Sequence, residues 1–132
     1  MASVSIPNPN VCSNTSTIKE FSLKCSSHSS GTVARVELRR GTYNGVVYFW
    51  TRVTEDGHNK AAPLFRASGE YLKVTLNGVL ASGISWEDGN TYCTKGIGNN
   101  PNEMQNTLTF SAAVYDCASQ LRSGSGSANV LL

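Results

Sequence analysis

One run of residues, Val46–Val53, constrains the fold of this chain more than any other part of the sequence. The run reads VVYFWTRV, and the polar segment TEDGHNK follows it as far as Lys60. β-Branched and aromatic side chains favour strands, and successive side chains of a strand point to opposite faces. Because apolar residues occupy both sets of positions, the run predicts a central strand that is buried on both faces.

Alternating patterns predict the strands around it. Residues 33–40, reading VARVELRR, alternate apolar with charged side chains and predict a strand with one buried face. Asn77-Gly78 lies between two apolar runs and predicts a tight hairpin. A helix over 111–122 is the rival to the last predicted strand, but the Thr and aromatic content before it favours the strand. The other predicted strands span residues 4–6, 18–25, 63–67, 71–76, 79–86, 91–95 and 107–117, and residues 96–106 are expected to form a surface loop.

These segments together predict an all-β fold. Turn signals recur about every eight to twelve residues, which is typical of β-sandwiches and small barrels. We predict an antiparallel β-sandwich, immunoglobulin-like or jelly-roll-like, of about eight strands. Residues 1–122 are expected to form this single domain. Residues 123–132, reading SGSGSANVLL, predict a flexible Gly/Ser linker that ends in an apolar stub able to dock as a strand.

The chain has four cysteines, at positions 12, 25, 93 and 117. An even number in a small, Ser- and Asn-rich β chain predicts two disulfide bonds and an oxidising, extracellular environment. Three connectivities are open, and the pairing of neighbouring strands favours Cys12–Cys25 with Cys93–Cys117. The alternative is four reduced cysteines in a cytosolic protein. We predict that the sandwich is stapled by two disulfides and that the protein is secreted or displayed on a cell surface.

Charge and hydropathy exclude several kinds of partner. The formal net charge is only +2 and charged residues make up 15% of the chain, so electrostatic attraction to nucleic acid or to anionic membranes is weak. No apolar run has the length of a membrane-spanning helix, and no signal-peptide pattern follows Met1, as in a mature form. We expect neither a nucleic-acid partner nor membrane insertion. The rival interpretation is a single-strand-binding face made of Arg35, Arg39, Arg40, Tyr43, Tyr48 and Trp50.

Few residues suggest catalysis. The two histidines, His28 and His58, lie in different predicted loops. Glu55, His58 and Arg66 form a weak acid–base set of the kind that cleaves phosphodiesters, but no nucleophile elbow or phosphate-binding glycine loop accompanies them. Oxygen ligands near Asp56 and Asp88 suit calcium, yet ordinary turn chemistry explains them as well. We therefore predict a protein that is not an enzyme and that has no metal and no cofactor.

Loops carry the better candidates for ligand binding. Sugars are bound by an aromatic side chain that stacks on the ring and by amide, carboxylate or hydroxyl groups that satisfy its hydroxyls, usually on loops of a rigid scaffold. Trp86 lies at a strand end beside acidic and amide residues. In the alternative interpretation Trp86 belongs to the core and the asparagines only form turns. The predicted ligand-binding residues are Trp86, Glu87, Asp88, Asn90, Asn99, Asn100, Asn102, Tyr43 and Asn44.

Both ends of the chain are short apolar stubs, Val4–Ile6 and Val130–Leu132. Such a stub can add a strand to an exposed sheet edge, within its own chain or in a neighbouring subunit. In composition and layout the chain resembles bacterial pilus subunits and tip adhesins, which are small disulfide-linked β-sandwiches that polymerise by exchanging strands. The resemblance implies a non-enzymatic, lectin-like surface adhesin or pilus-associated virulence subunit that binds a host glycan or receptor. The alternatives are a secreted effector, toxin or inhibitor acting on a protein target and, third, a small secreted nuclease.

Overall fold

The computed structural model describes residues 4–24, 32–55, 72–98, 105–115 and 120–131. These residues form eleven strands and one short 3₁₀ helix, Pro9–Val11, and the pairings between the described strands are antiparallel. The strands are β1 (Val4–Ile6), β2 (Ser13–Lys24), β3 (Thr32–Tyr43), β4 (Val46–Glu55), β5 (Lys73–Leu76), β6 (Val79–Ser82), β7 (Trp86–Asp88), β8 (Thr91–Cys93), β9 (Gly96–Gly98), β10 (Gln105–Tyr115) and β11 (Leu121–Leu131).

The strands belong to two sheets. The first sheet has the order β1-β9-β4-β3-β2. In the same sheet, β8 pairs with β4 along one edge and with β7 along the other. The second sheet has the order β11-β10-β5-β6. The predicted all-β, antiparallel architecture is therefore confirmed, whereas an immunoglobulin-like or jelly-roll-like topology stays a prediction.

Strand β4 is the centre of the first sheet, as predicted. It pairs with β3 along one edge and with β8 and β9 along the other. Phe49 and Val53 point into the core between the two sheets and are 0% exposed. Tyr48 and Trp50 point to the opposite face, where they are also buried in a second, smaller apolar cluster. The apolar residues at both sets of positions thus bury both faces of the strand.

The main core lies between the two sheets. Most of its members come from β3, β4, β5 and β10 and include Val36, Leu38, Val74, Leu76, Leu108 and Phe110. Thr51 of β4 adds a polar link at the centre of this layer, where it is itself fully buried. Its hydroxyl donates to the Lys73 carbonyl of the second sheet at 2.6 Å, and its backbone N–H donates to Thr94 Oγ1 at 3.1 Å. The central strand is therefore joined to both sheets by buried hydrogen bonds.

A short strap, residues 7–12, crosses the outer face of the first sheet. The crossing is required because β1 and β2 lie on opposite sides of β4 in the strand order. Pro9 of the strap is buried, and the Ser85 hydroxyl donates to the Pro7 carbonyl at 2.6 Å. A Cβ atom at Gly41 would lie 2.7 Å from the Cys12 Cβ. Only glycine at this position lets the strap approach β3 so closely.

The C-terminal segment departs from the prediction. Instead of a flexible linker over 123–132, residues 121–131 form β11, which pairs in register with the whole of β10. The Ser-Gly repeat has the period of a strand: Gly124 and Gly126 face inward, and the serines between them face solvent. A Cβ atom at Gly126 would lie 2.6 Å from Phe110 Cε1, and one at Gly124 would lie 2.6 Å from Phe21 Cε1. The glycines are therefore required by aromatic rings packed against the strand.

This packing predicts the effect of adding a single methyl group to β11. Gly126→Ala places a carbon against the Phe110 ring, which is 2% exposed and has little room to move. We expect the substitution to destabilise the fold by about 1–3 kcal/mol, as overpacking does in a tight core. Chemical denaturation measures the change.

Ser127→Ala is the matched control, because its side chain faces solvent on the same strand. We expect its free energy of unfolding to stay within about 0.5 kcal/mol of the parent. Equal stabilities for both variants would show that β11 does not pack on Phe110 as described.

Two of the other strand assignments differ from the prediction. Residues 96–98, expected in a surface loop, form the buried strand β9, because a Cβ at Gly96 would lie 2.9 Å from Ile6 Cγ1 and glycine lets β1 pack there. The strand predicted over 79–86 is divided into β6 and β7, with Gly83 at positive φ between them. The strand predicted over 107–117 is found as β10, Gln105–Tyr115; residues 116 and 117 lie outside the described residues. The strand predicted over 63–67 lies outside the described residues.

The disulfide prediction is not supported. Cys12 and Cys93 are both free thiols, whereas their predicted partners, Cys25 and Cys117, lie outside the described residues. Cys93 is 1% exposed and lies in the small cluster around Trp50, against which Cys12 also packs. Burial raises the pKa of the Cys12 thiol and raises that of Cys93 to about 12. Apolar packing, not cross-linking, accounts for the position of these two cysteines.

The raised pKa predicts a distinctive labelling pattern for Cys93. A thiol with a pKa of about 12 has roughly one thiolate in ten thousand at pH 8, and the thiolate is the reactive form. We expect iodoacetamide to leave Cys93 unmodified in the folded protein and to modify it after unfolding in guanidinium without reductant. Peptide mass spectrometry locates the modification. Modification of Cys93 only after reduction would show instead that it forms a disulfide.

Candidate ligand-binding groove

The structure places Trp86 at an edge of the first sheet. Trp86 is half-buried and packs against the cluster that contains Trp50 and Cys93. Glu87 and Asp88 follow it on the short strand β7 and are exposed. The indole therefore contributes to packing as well as to the surface, which supports the interpretation of Trp86 as partly a core residue.

Asn90 has a structural role. Its side-chain amide donates to the Glu55 carbonyl at 2.8 Å, and its own carbonyl accepts from the Glu55 N–H at 2.9 Å. These two bonds join the β7–β8 turn to the end of β4. Side chains that bind ligand need free hydrogen-bonding capacity, and the Asn90 Nδ2 group already donates to the fold.

The turn at Tyr43-Asn44 lies far from Trp86. Val46, which follows the turn, and Thr54, which pairs with Thr91 beside the β7–β8 turn, are eight positions apart on β4. At the rise of a strand this corresponds to about 26 Å. The structure thus puts these two parts of the predicted site at opposite ends of the sheet.

Several predicted residues are not described. Asn99, Asn100 and Asn102 of the predicted site lie outside the described residues, as do His58 and Arg66 of the acid–base set. Glu55, the third member of that set, is 4% exposed at the end of β4. The described residues contain no group of three or more His, Cys, Asp or Glu side chains arranged to hold a metal ion.

The basic and aromatic face proposed as a nucleic-acid surface is organised around a carboxylate. Arg52 Nη2 donates to Glu37 Oε1 at 2.9 Å, and Arg39 Nη1 donates to Thr17 Oγ1 at 2.7 Å. Burial raises the pKa of Glu37, but hydrogen bonds from Thr17 and Arg52 and the charges of Arg52 and Arg35 outweigh it, so the pKa lies below its usual value. The arginines of this face therefore neutralise a buried charge of the protein itself.

Two of its three aromatic rings, Tyr48 and Trp50, are not available for stacking on bases, whereas Tyr43 is exposed. Tyr48 is 6% exposed and Trp50 is 3% exposed, whereas base stacking requires an open ring face. Arg40 pairs with Phe49 and so points to the other side of the sheet from Arg39, which pairs with Trp50. The residues that are adjacent in the sequence do not form one basic surface.

A groove lies on the outer face of the second sheet, away from the core. It has two adjoining parts with volumes of about 280 and 180 Å³, both lined by Lys73, Ser111 and Ser125. These three side chains come from β5, β10 and β11, and the register places Ser111 directly between Lys73 and Ser125. The remaining lining residues are Thr75, Thr109, Phe110, Ala112, Ala113, Ser123 and Gly124.

Small side chains create this groove. Ala113 and Ser123 face each other across β10 and β11; Ala113 is buried and Ser123 is exposed. The hydroxyls of Ser111, Ser123 and Ser125 thus line a regular floor, with strands about 4.8 Å apart. β10 pairs with β11 along its whole length and with β5 from Leu108 to Ser111, so the groove is held on both sides at its Ser111 end.

An exposed aromatic residue lies at one end of the groove. Tyr115 and Leu121 are directly opposite each other on β10 and β11 and are 38% and 43% exposed. Tyr115 is the next position after Ala113 on the same face of β10, about 7 Å along the strand. The second sheet therefore presents an aromatic ring, a row of hydroxyls and a lysine on a single surface.

Sequence reasoning missed this groove because β11 resembles a linker in composition. The signal was present in the period-two order of Ser123, Ser125 and Ser127, which places every hydroxyl on one face of a strand. The partner residues Thr107, Thr109 and Ser111 show the same period on β10. Two neighbouring segments with hydroxyls at alternate positions are a recognisable pattern for a polar sheet face.

Comparison of the chain with protein-family models, with curated protein sequences and with solved structures gives no significant match. Over the described ranges, no helix has the length and apolar character needed to cross a membrane.

Proposed function

We propose that this protein is a recognition domain that binds a glycan in the groove of the second sheet. The observation that carries the proposal is the combination of exposed Tyr115 with the hydroxyls of Ser111, Ser123 and Ser125 on one face of the second sheet. A pyranose ring presents an apolar C–H face and a rim of hydroxyls. An aromatic ring beside hydrogen-bonding groups matches both features.

The biological setting proposed is a secreted or cell-surface β-sandwich, a surface adhesin or pilus-associated subunit that binds a host glycan or receptor. Support comes from the weakly charged, hydroxyl-rich surface and from the two antiparallel sheets with a shared core. The two described cysteines lend no support, since both are free thiols.

Strand exchange between subunits is a separate part of the proposal. Both terminal stubs pair within their own chain: β1 with β9, and β11 with β10. Exchange would require a second copy to supply the same strand to the same edge. The full register of β11 with β10 gives the geometry that such a strand would have to reproduce.

Tyr115, at one end of the groove, provides the test of this function. Tyr115→Ala removes the stacking surface, and we expect binding to a glycan array to fall by about tenfold or more, because aromatic stacking with its buried area contributes on the order of 1–2 kcal/mol. Tyr115→Phe keeps the ring and is expected to retain most of the binding. The melting temperature of each variant checks that the fold is intact.

Tyr43→Ala distinguishes the groove from the site predicted by sequence alone. Tyr43 is 38% exposed, the same fraction as Tyr115, but it lies on the other sheet. We expect Tyr43→Ala to bind like the parent protein. Loss of binding in Tyr43→Ala or Trp86→Ala, with Tyr115→Ala unaffected, would move the site to the first sheet and contradict the groove.

A further inference from the structure

Lys73 places a positive charge in the groove, which a site for a neutral sugar does not need. It is the one charged side chain among the described residues that line either part of the groove. On the two neighbouring strands it faces Ser111 and Ser82, which are both uncharged. The positive charge therefore lies among hydroxyl groups, with no carboxylate directly opposite it.

The Lys73 amine also makes no hydrogen bond or ion pair within the described part of the chain. Two other lysines differ in this respect: Lys19 Nζ donates to the Ser127 carbonyl at 2.9 Å, and Lys24 Nζ donates to Thr32 Oγ1 at 3.4 Å. The backbone of Lys73 is nevertheless fixed, since its carbonyl accepts from the buried Thr51 hydroxyl. A lysine whose backbone is fixed and whose amine makes no contact with other described residues is suited to bind an anion.

The geometry points to an acidic glycan, one that carries a carboxylate or sulfate group, as the ligand of this groove. This inference rests on the proposed function. The anionic group would lie at Lys73, where hydroxyls of Ser111 and Ser125 can donate to the same oxygens. The sugar ring would extend along β10 and β11 toward Tyr115. Hydrogen bonds to a charged group are stronger than hydrogen bonds between neutral groups. We therefore expect glycans that carry a carboxylate or sulfate group to bind best.

The experiment compares neutral oligosaccharides with their sialylated and sulfated forms on one array. We expect the parent protein to bind the acidic forms about fivefold or more tightly, and this preference to shrink when NaCl is raised from about 50 mM to about 500 mM. Lys73→Gln should bind acidic and neutral forms equally, whereas Lys73→Arg should keep the preference. Lys95→Gln is the matched control: Lys95 is also exposed but lies between β8 and β9 in the first sheet.

Two failures are distinguishable. If the parent protein binds neutral and acidic forms equally, or if Lys73→Gln keeps the acidic preference, the inference about Lys73 is wrong and the proposed glycan recognition stands. If the parent protein binds no glycan on the array, the proposed function is wrong and the inference is overturned with it. Melting temperatures of the Lys73 variants should match the parent, because the side chain is exposed.

Discussion

Hydrogen bonds of the buried residue Thr51 join the central strand β4 to the second sheet and to Thr94, between β8 and β9 of the first. In β4, apolar residues cover both faces, so neither face is free to carry polar contacts to other layers. Thr51 is the exception: its hydroxyl reaches the Lys73 carbonyl in the second sheet, while its N–H and carbonyl both pair with Thr94. A buried polar group is stable only when its hydrogen bonds are made. The two sheets, which share an apolar core, therefore also satisfy the hydrogen bonds of this buried residue.

The candidate groove depends on the same contact. Lys73 begins β5, and its carbonyl is held by β4 through the core, so its side chain leaves the sheet from a fixed position. On the other side of the groove, Gly126 allows β11 to lie against Phe110 and keeps the serines in register with β10. The packing beneath the groove thus fixes the positions of the residues that line it. The floor of the groove is formed by small side chains of β10 and β11, namely Ser111, Ala113, Ser123 and Ser125.

Patterns within one strand were predictable from the sequence, whereas features that depend on contacts between distant segments were not. The run Val46–Val53 predicted its own burial on both faces, and Asn77-Gly78 predicted a hairpin whose two turn residues have positive φ. In contrast, Gly96 and Gly126 are glycines because Ile6 and Phe110 pack on them from far along the chain. Composition alone suggests a loop or linker at such positions.

The same limit applies to the candidate site. Local composition suggests Trp86 and Tyr43 as ligand-binding residues, but the structure places them at distant parts of the first sheet. The groove residues come from three strands that the sheet topology brings together. β5 and β11 both pair with β10, although five described strands lie between them in the sequence. No local pattern around Lys73 indicates that Ser125 lies two strands away.

The most direct test of the groove as the recognition site is a map of backbone amide chemical shifts while a glycan selected from the array is added. We predict changes centred on Lys73, Ser111 and Ser125 and extending toward Tyr115, with few changes in the first sheet. Changes confined to the 86–90 segment or to residues 99–105, with Lys73, Ser111 and Ser125 unmoved, would contradict recognition in the groove.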